Sequence, residues 1–555
     1  MRRTTITAAL AVVAALALTA CNANSGSGTN TASTGTQQGG DLAILTSASS
    51  VTLDPAKSQN LAITTLGLIF RRLTTWDIKP GQEGKVVGDL AQDAGTPSDG
   101  GKTWTFKLKP NLKYADGTAI TAADVKYGVE RSFAPELSGG LGYHKTLLVG
   151  GAEYKGPYTG KELDSIEVPD AQTIVFKLTK PFGDWPWIVS MPAFAPVPKA
   201  KDDVANYGKN PVASGPYQVD SYQQGTALKL KRNTYWEASS DPVRTGGPDT
   251  ITFQLGQEAT VAAQRLIADS GADKNAFGAS FVPPAQLAQI QANAAAKQRL
   301  VTSDPGALAY LAINTTRGPL KDAKVRQALN YAVDKKAYLV AAGGTLGGDY
   351  ASTLITPGIA GRAEYNLYPT ADPSGDVDKA KALLAEAGQS NLKLTFVVQN
   401  DSDDLARAQA IQQGLARIGV ELTIKPLDSD SWFDAVTNDK GDYDLTLSSW
   451  QPDYPSANAN IQPLFASSEI GGGGFNLSRY SNAEVDALIE QARAEVDPAK
   501  AQALWQQADK RILTDAPIVP LIYTKNSFLH GSAVQNFQVA AFPAYPNYLK
   551  VSLSK

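Results

Sequence analysis

The sequence predicts an α/β protein built as two lobes with a boundary near residue 304. Two rhythms along the chain carry that expectation. Before residue 304, apolar and polar side chains alternate with period 2 in several short runs, as half-buried strands do, with scattered helices between them. After it, strand-like and helix-like stretches follow in the order β-α-β-α-β, the pattern of a parallel sheet with crossover helices. The 555 residues, 43% hydrophobic and 19% charged, are ample for a large core and ordinary for a globular chain.

In the first half, Trp104, Phe106 and Leu108 alternate with Thr105, Lys107 and Lys109, which predicts a strand with one buried face. Asp116-Gly117 predicts a turn. Thr121 caps a helix that places Val125, Val129 and Phe133 on one face. Ile174, Phe176 and Leu178 predict another strand. Tyr217 and Val219, then Leu228 and Leu230, predict a strand pair after Ser214-Gly215-Pro216.

In the second half, a helix is expected over 322–340, with Val325, Leu329, Ala332 and Val333 at helical spacing. Asp376 caps a helix carrying Ala380, Leu383 and Leu384, closed by Gly388. A strand over 392–398, a helix over 403–418, a strand over 420–424, a helix near 430–438 and a strand over 444–448 complete the β-α-β-α-β run. Ser481 and Glu484 read as a capping box for a helix bearing Val485, Leu488 and Ile489. Asp497-Pro498 opens the next helix.

Composition removes several functions. The formal charge of −3 offers no basic field for nucleic acid. One cysteine rules out an intrachain disulfide, a CxxC redox pair and an iron–sulfur cluster. His144 and His530 are too far apart for a local HExxH motif. Gly101-Lys102-Thr103 is not a P-loop, because Thr96 stands where the motif needs glycine and a strand follows where it needs a helix. Gly343-Gly344 and Gly347-Gly348 do not fit G-x-G-x-x-G. No G-x-S-x-G is present, so a nucleophile elbow is unsupported. Asp439, Asp442 and Asp444 cluster, with Asp442 and Asp444 alternating as on the exposed side of a strand. No catalytic residue, cofactor or metal site is expected.

The N-terminus reads as an export signal. Arg2 and Arg3 precede an uncharged run of 13 residues, Ile6 to Leu18, the proportions of a signal peptide over residues 1–20. Thr4 and Thr5 spoil a twin-arginine pattern. Leu18-Thr19-Ala20-Cys21 resembles the bacterial lipobox, which implies a diacylglycerol on the Cys21 sulfur and Cys21 as the first mature residue. Residues 22–40 contain only Gly, Ser, Thr, Asn, Gln and Ala. Such a segment cannot bury enough apolar surface to order itself. Residues 21–40 therefore read as a lipid-anchored tether, with a reach of roughly 25 Å as a random coil. No later segment offers ~18 uninterrupted apolar residues for a membrane span.

One stretch stands out by position. In open α/β sheets, ligands sit beyond the carboxyl ends of strands. The strand over 444–448 runs out into Ser449-Trp450-Gln451-Pro452-Asp453-Tyr454-Pro455, which offers an indole, a carboxylate and a phenol between prolines. A structural reading of the same residues has Trp450 in the core and Asp453 capping a turn.

Five ordered blocks then resemble one family. They are Ser98-Asp99-Gly100-Gly101-Lys102-Thr103-Trp104-Thr105-Phe106 through Tyr114-Ala115-Asp116-Gly117-Thr118 and Ala123-Asp124-Val125; Ser214-Gly215-Pro216-Tyr217 with Lys231 to Trp236; Asn314 with Val325 to Leu329 and Ala332-Val333-Asp334; Trp450 to Tyr454; and Ala516 to Leu521. Together they resemble family 5 of the extracellular solute-binding proteins of ABC importers, the dipeptide- and oligopeptide-binding group. Ala213 and Ser449 depart from it where glycine is common. The resemblance implies a two-lobed clamp like that of periplasmic binding proteins (type II, large, with an extra small domain in the first lobe). It implies lobe I over 41–303 plus 527–555, with the extra subdomain at about 75–205, and lobe II over 304–526. It also implies that Asp453 receives a peptide's α-ammonium, that Trp450, Tyr454 and Ser449 line the site, and that Asn60, Leu61 and Ala62 face it from lobe I. The expected function is a lipid-anchored, non-enzymatic, monomeric receptor on the outer face of the cytoplasmic membrane, delivering peptides to importer subunits. An oligosaccharide or siderophore-like solute, a surface sensor and a secreted hydrolase are the alternatives. Arg362 is the candidate for a ligand carboxylate.

Overall fold

Period-2 alternation builds the first sheets. In the computed structural model, which describes residues 39–554, Trp104 and Phe106 lie buried on one face of the strand Thr103–Lys107, and Thr105 and Lys107 point outward. That strand pairs antiparallel with Thr96–Ser98 and with Thr173–Lys177, which in turn pairs with Ile166–Asp170, making a four-stranded sheet. The helix Ala122–Arg131 starts where expected, because the Asp124 carboxylate accepts from the Thr121 backbone N–H at 2.8 Å. It buries Val125 and Val129. Signal peptide, Cys21 and nearly all of the tether lie outside the described residues.

A five-stranded sheet runs in the order Ala276–Gly278, Asp41–Leu45, Thr250–Gln254, Ala227–Arg232, Tyr217–Gln223. Asp41–Leu45 is parallel to both of its neighbours, and the remaining pairs are antiparallel. A cluster of buried charge holds this part of the chain to the residues leading into the four-stranded sheet. The Asp89 carboxylate accepts from Arg71 Nε at 2.8 Å and Arg244 Nη2 at 2.9 Å, and Arg244 also meets Asp241 at 3.1 Å. Arg72 beside them is fully enclosed, and burial, helped by Arg244, pushes its guanidinium down to about 9.

The third large sheet has six strands, in the order Gly348–Tyr350, Ile518–Thr524, Leu308–Ile313, Leu445–Trp450, Lys393–Gln399, Glu421–Leu427. Lys393–Gln399 is parallel to both neighbours, as the β-α-β-α-β run requires. Leu308–Ile313 is antiparallel to both of its own, so the sheet as a whole is mixed.

Three local expectations are corrected. The helix expected over 322–340 is two helices, Ala323–Ala332 and Lys335–Ala341. Val333 turns extended, and the Asp334 carboxylate accepts from Ala337 N–H at 2.8 Å to start the second one. The cap expected at Ser481 is Asn482, whose side chain accepts from Glu484 N–H at 2.9 Å, while the Ser481 hydroxyl meets that of Ser467. The strand expected to stop at Ser448 continues to Trp450, paired with Leu308.

The chain passes between the five- and six-stranded sheets at 303–307 and again at 525–526. Just before the first passage, Leu300–Thr302 pairs antiparallel with Ser527–Leu529. Ser303 and Asn526 then clasp each other: Ser303 N–H donates to the Asn526 carbonyl at 2.9 Å, and Asn526 N–H to the Ser303 hydroxyl at 3.0 Å. Among the described residues, no helix is long and apolar enough to cross a membrane.

Candidate functional site

The strand Leu445–Trp450 sets the site because its two faces do different work. Leu445 and Leu447 pack with Leu311 and Val398 in one apolar cluster. Thr446, Ser448 and Trp450 point the other way. The Trp450 ring is half-buried; its Nε1–H donates to the Ala459 carbonyl at 2.7 Å, and Phe475 lies 5.1 Å away, centroid to centroid. Phe433 meets Phe475 edge-on at 6.0 Å. Phe433 and Phe475 are 42% and 39% exposed. Three aromatic rings thus form a half-open wall that starts at Trp450.

Beyond the strand, the chain reaches across to residues far away in sequence. The Asp453 carboxylate accepts a hydrogen bond from the Tyr143 hydroxyl. The Tyr143 ring stands edge-on to Tyr454, with centroids 5.9 Å apart. Burial and the neighbouring Asp453 charge push the Tyr143 phenol far up, so it stays protonated and donates. Tyr454 is 2% exposed, and its hydroxyl accepts from Asn458 Nδ2 at 2.9 Å. Gln451 Nε2 donates to the Pro543 carbonyl, and the Ser456 hydroxyl donates to Asp184 at 2.6 Å. The segment 451–456 is therefore stitched to residues 143, 184 and 543. Among the described residues, Tyr143 is the one donor to Asp453, which leaves the carboxylate room for further donors.

The other expected site residues make no hydrogen bond to the Asp453 carboxylate among the described residues. Ser449 is exposed on the opposite face and lines a cavity of about 490 Å³ with Gln399, Asp403, Arg407 and Lys525. Asn60 lines a different cavity, of about 340 Å³, with Ser50, Thr65 and Tyr548. Its Oδ1 accepts from the Thr64 hydroxyl at 2.9 Å and Leu66 N–H at 3.2 Å. Leu61 is half-buried, and Ala62 is buried. The Arg362 guanidinium pairs with Glu364 and lies 5.2 Å from the Tyr523 ring centroid.

Among the described residues, no three His, Cys, Asp or Glu side chains gather to hold a metal. Asp439 accepts from Gly472 N–H at 2.9 Å, Asp444 accepts from Thr395 N–H at 2.7 Å, and Arg317 bridges Asp442 and Asp444 at 3.5 Å. His144 is wholly buried with Nε2 2.7 Å from the Ser132 hydroxyl, and burial pushes its imidazole down to about 3, so it stays neutral.

Sequence reading missed Tyr143, Asp184, Phe433 and Phe475. Phe475 had a readable signal, since an aromatic placed directly after Gly471 to Gly474 has little chain around it to bury it. Tyr143 and Asp184 had none, because their partners lie about three hundred residues away.

Comparison with known proteins agrees along nearly the whole chain. The model for the bacterial extracellular solute-binding proteins, family 5 (middle), matches residues 85–472. The glutathione-binding protein GsiB of Salmonella typhimurium is 28% identical over 528 residues, covering 90% of this chain and 96% of the relative. The solved structure of clavulanic acid biosynthesis oligopeptide binding protein 2 superposes with a TM-score of 0.84 at 32% identity, covering 94% of this chain and 96% of that one. The periplasmic binding protein DppA from Helicobacter pylori, solved with the peptide STSA, shares the fold with a TM-score of 0.66 at 20% identity, over 94% of this chain and 99% of that one. A family match over well more than half its length and a relative above 30% identity across almost all of it place the chain in family 5 of the bacterial extracellular solute-binding proteins, with their type II periplasmic-binding-protein fold.

Proposed function

We propose that this protein captures peptides between two lobes and delivers them to an ABC importer, without chemistry on the solute. One lobe comprises 41–303 with 527–555, including the subdomain at about 75–205, and the other comprises 304–526. The two chain passages at 303–307 and 525–526, side by side and clasped by Ser303 and Asn526, have the form of a hinge. Hinge closure around a ligand follows from the ligand's extra contacts in the closed state.

The observation that carries the reading is the carboxylate of Asp453. It lies just past the carboxyl end of the strand Leu445–Trp450 and is met from the facing lobe by Tyr143. A free α-ammonium is the group that peptides share, and capturing it gives affinity without reading side chains. The aromatic wall from Trp450 through Phe475 to Phe433 would take an apolar side chain close to that ammonium. Relatives named for binding glutathione and oligopeptides support a peptide solute. A lipid on Cys21 and the tether after it would hold the receptor beside its importer on the outer face of the membrane.

Calorimetry of the purified chain against a panel of di- to pentapeptides tests the reading. Binding of free-amine peptides and none of their N-acetylated forms is the expected result. Binding of sugars with no peptide bound would replace it with the oligosaccharide alternative.

A further inference from the structure

A further cavity lies against the segment just after Asp453, lined by Pro455, Ser456 and Ala457. It has a volume of about 470 Å³, and its walls come from both proposed lobes: Val86, Trp104 and Trp187 on one side, Pro455, Ala501 and Trp505 on the other. Small-molecule sites typically fall in this size range and combine apolar walls with a few polar groups. Here Asp184 is among the lining residues. Its carboxylate accepts from the Ser456 hydroxyl at 2.6 Å, is also favoured by the Asn458 side chain, and forms no ion pair among the described residues. One cation, Arg493, acts on it from outside the lining, with Nη1 on Glu490 at 2.7 Å, its guanidinium over the Phe182 ring at 5.5 Å and its buried Nε without a hydrogen-bond partner among the described residues.

The other charges facing the cavity are Lys85, which is exposed, and Glu495, whose carboxylate accepts from Asp497 N–H at 2.9 Å. The charge balance at the cavity is thus negative. Burial pushes the Asp184 carboxyl up to about 6, outweighing its hydrogen bonds and the charge of Arg493, and it remains mostly ionised at neutral pH. An enclosed carboxylate is normally paired or hydrogen-bonded on all sides. This one has hydrogen-bond partners but no ion pair among the described residues, and Trp104, Trp187 and Trp505 line the same cavity.

We propose that this cavity is an accessory binding site for a small organic cation carrying an aromatic or bulky aliphatic group, with the ammonium on Asp184 and the apolar part among Trp104, Trp187 and Trp505. Indole faces also attract cations in their own right. The lining of this cavity does not include Asp453, Trp450 or Phe475.

The test titrates the full chain with phenethylamine and with its uncharged isostere 2-phenylethanol by calorimetry, at millimolar ligand. Phenethylamine is expected to bind about tenfold or more tightly than the alcohol, since a charge-assisted bond is lost. Asp184→Asn, which keeps an acceptor for Ser456, and Ala501→Phe, which fills the cavity from the helix Pro498–Asp515, should each weaken the amine about tenfold. Because Asp453 is itself proposed to take an ammonium, the titrations are repeated in Asp453→Asn, where the amine binding that depends on Asp184 and Ala501 should persist. If Asp184→Asn does not fold, Ala501→Phe and the amine–alcohol comparison decide. No binding of phenethylamine, equal binding of the alcohol, or loss of the amine in Asp453→Asn with retention in Ala501→Phe would overturn the assignment.

Discussion

Asp453→Asn isolates the charge at the proposed ammonium site with little else disturbed. The amide keeps an oxygen for the Tyr143 hydroxyl, so the contact across the cleft survives and only the negative charge is removed. In the native protein, Tyr143 occupies one carboxylate oxygen, and a carboxylate accepts about four hydrogen bonds. An incoming ammonium can therefore join without displacing the tyrosine. A hydrogen bond between charged groups contributes about 1.5–3 kcal/mol net. At about 1.4 kcal/mol per factor of ten, the substitution should weaken free-amine peptides roughly 10- to 150-fold. Half-burial of Asp453 and the shielding rings of Tyr143 and Tyr454 argue against the bottom of that range. Calorimetry with a tripeptide and its N-acetyl form, on wild type and variant, makes a double cycle. Acetylation and substitution remove the same interaction, so the doubly altered pair should be no weaker than either single change. A pH series gives a second readout. A peptide's α-amino group titrates near about 7.7–8.0, so wild-type affinity should fall above that range, and the variant's should not. Fully additive effects, or unchanged affinity in a variant of unchanged melting temperature, would remove Asp453 from the site.

Other parts of the structure give predictions of their own. Phe475→Ala should cost on the order of 1 kcal/mol in affinity for peptides with a bulky apolar side chain near the amine, and nothing for trialanine, measured by competition calorimetry. Arg244→Met leaves Asp89 with Arg71 alone and takes the closest cation from buried Asp241, and should destabilise the fold by about 3–5 kcal/mol, read from urea denaturation. Asp509 accepts from the Leu354 and Ile355 N–H groups and the Tyr365 hydroxyl, yet burial pushes its carboxyl up to about 6 from the ordinary 3.8. The folded state then holds the proton more tightly than the unfolded one, so this group's contribution to stability falls as pH rises between those two values. Asp509→Asn should flatten that part of the stability–pH curve, and an unchanged slope would count against the shift.

What the sequence shows of this molecule, and what it hides, divides by distance along the chain. Trp104 and Phe106, the Asp376 cap and the run from Lys393 to Trp450 were legible because each depends on neighbours a few residues away. The errors of detail arose where two adjacent residues could do the same job. Ser481 and Asn482 both cap well, and a contact from Ser467 occupies the serine. Val333 and Asp334 continue a helical spacing, and the break there is visible only once Asp334 is seen capping the helix Lys335–Ala341. Buried charge was invisible for a different reason. Arg71, Asp89, Asp241 and Arg244 look like surface residues in any composition, and only their mutual pairing makes the interior tolerable to them. The site combines both cases. The stretch from Ser449 to Pro455 stands out because a topological rule links the end of a strand to a ligand position, and the role expected of Asp453 within it rests on the family resemblance. Tyr143 could not be picked out, since the chain crosses between the two sheets before the two side chains meet. A clamp has this property by construction. Its ligand must touch both lobes to favour closure, so part of its site has to come from stretches remote in sequence, and for those residues the fold itself is the first readable signal.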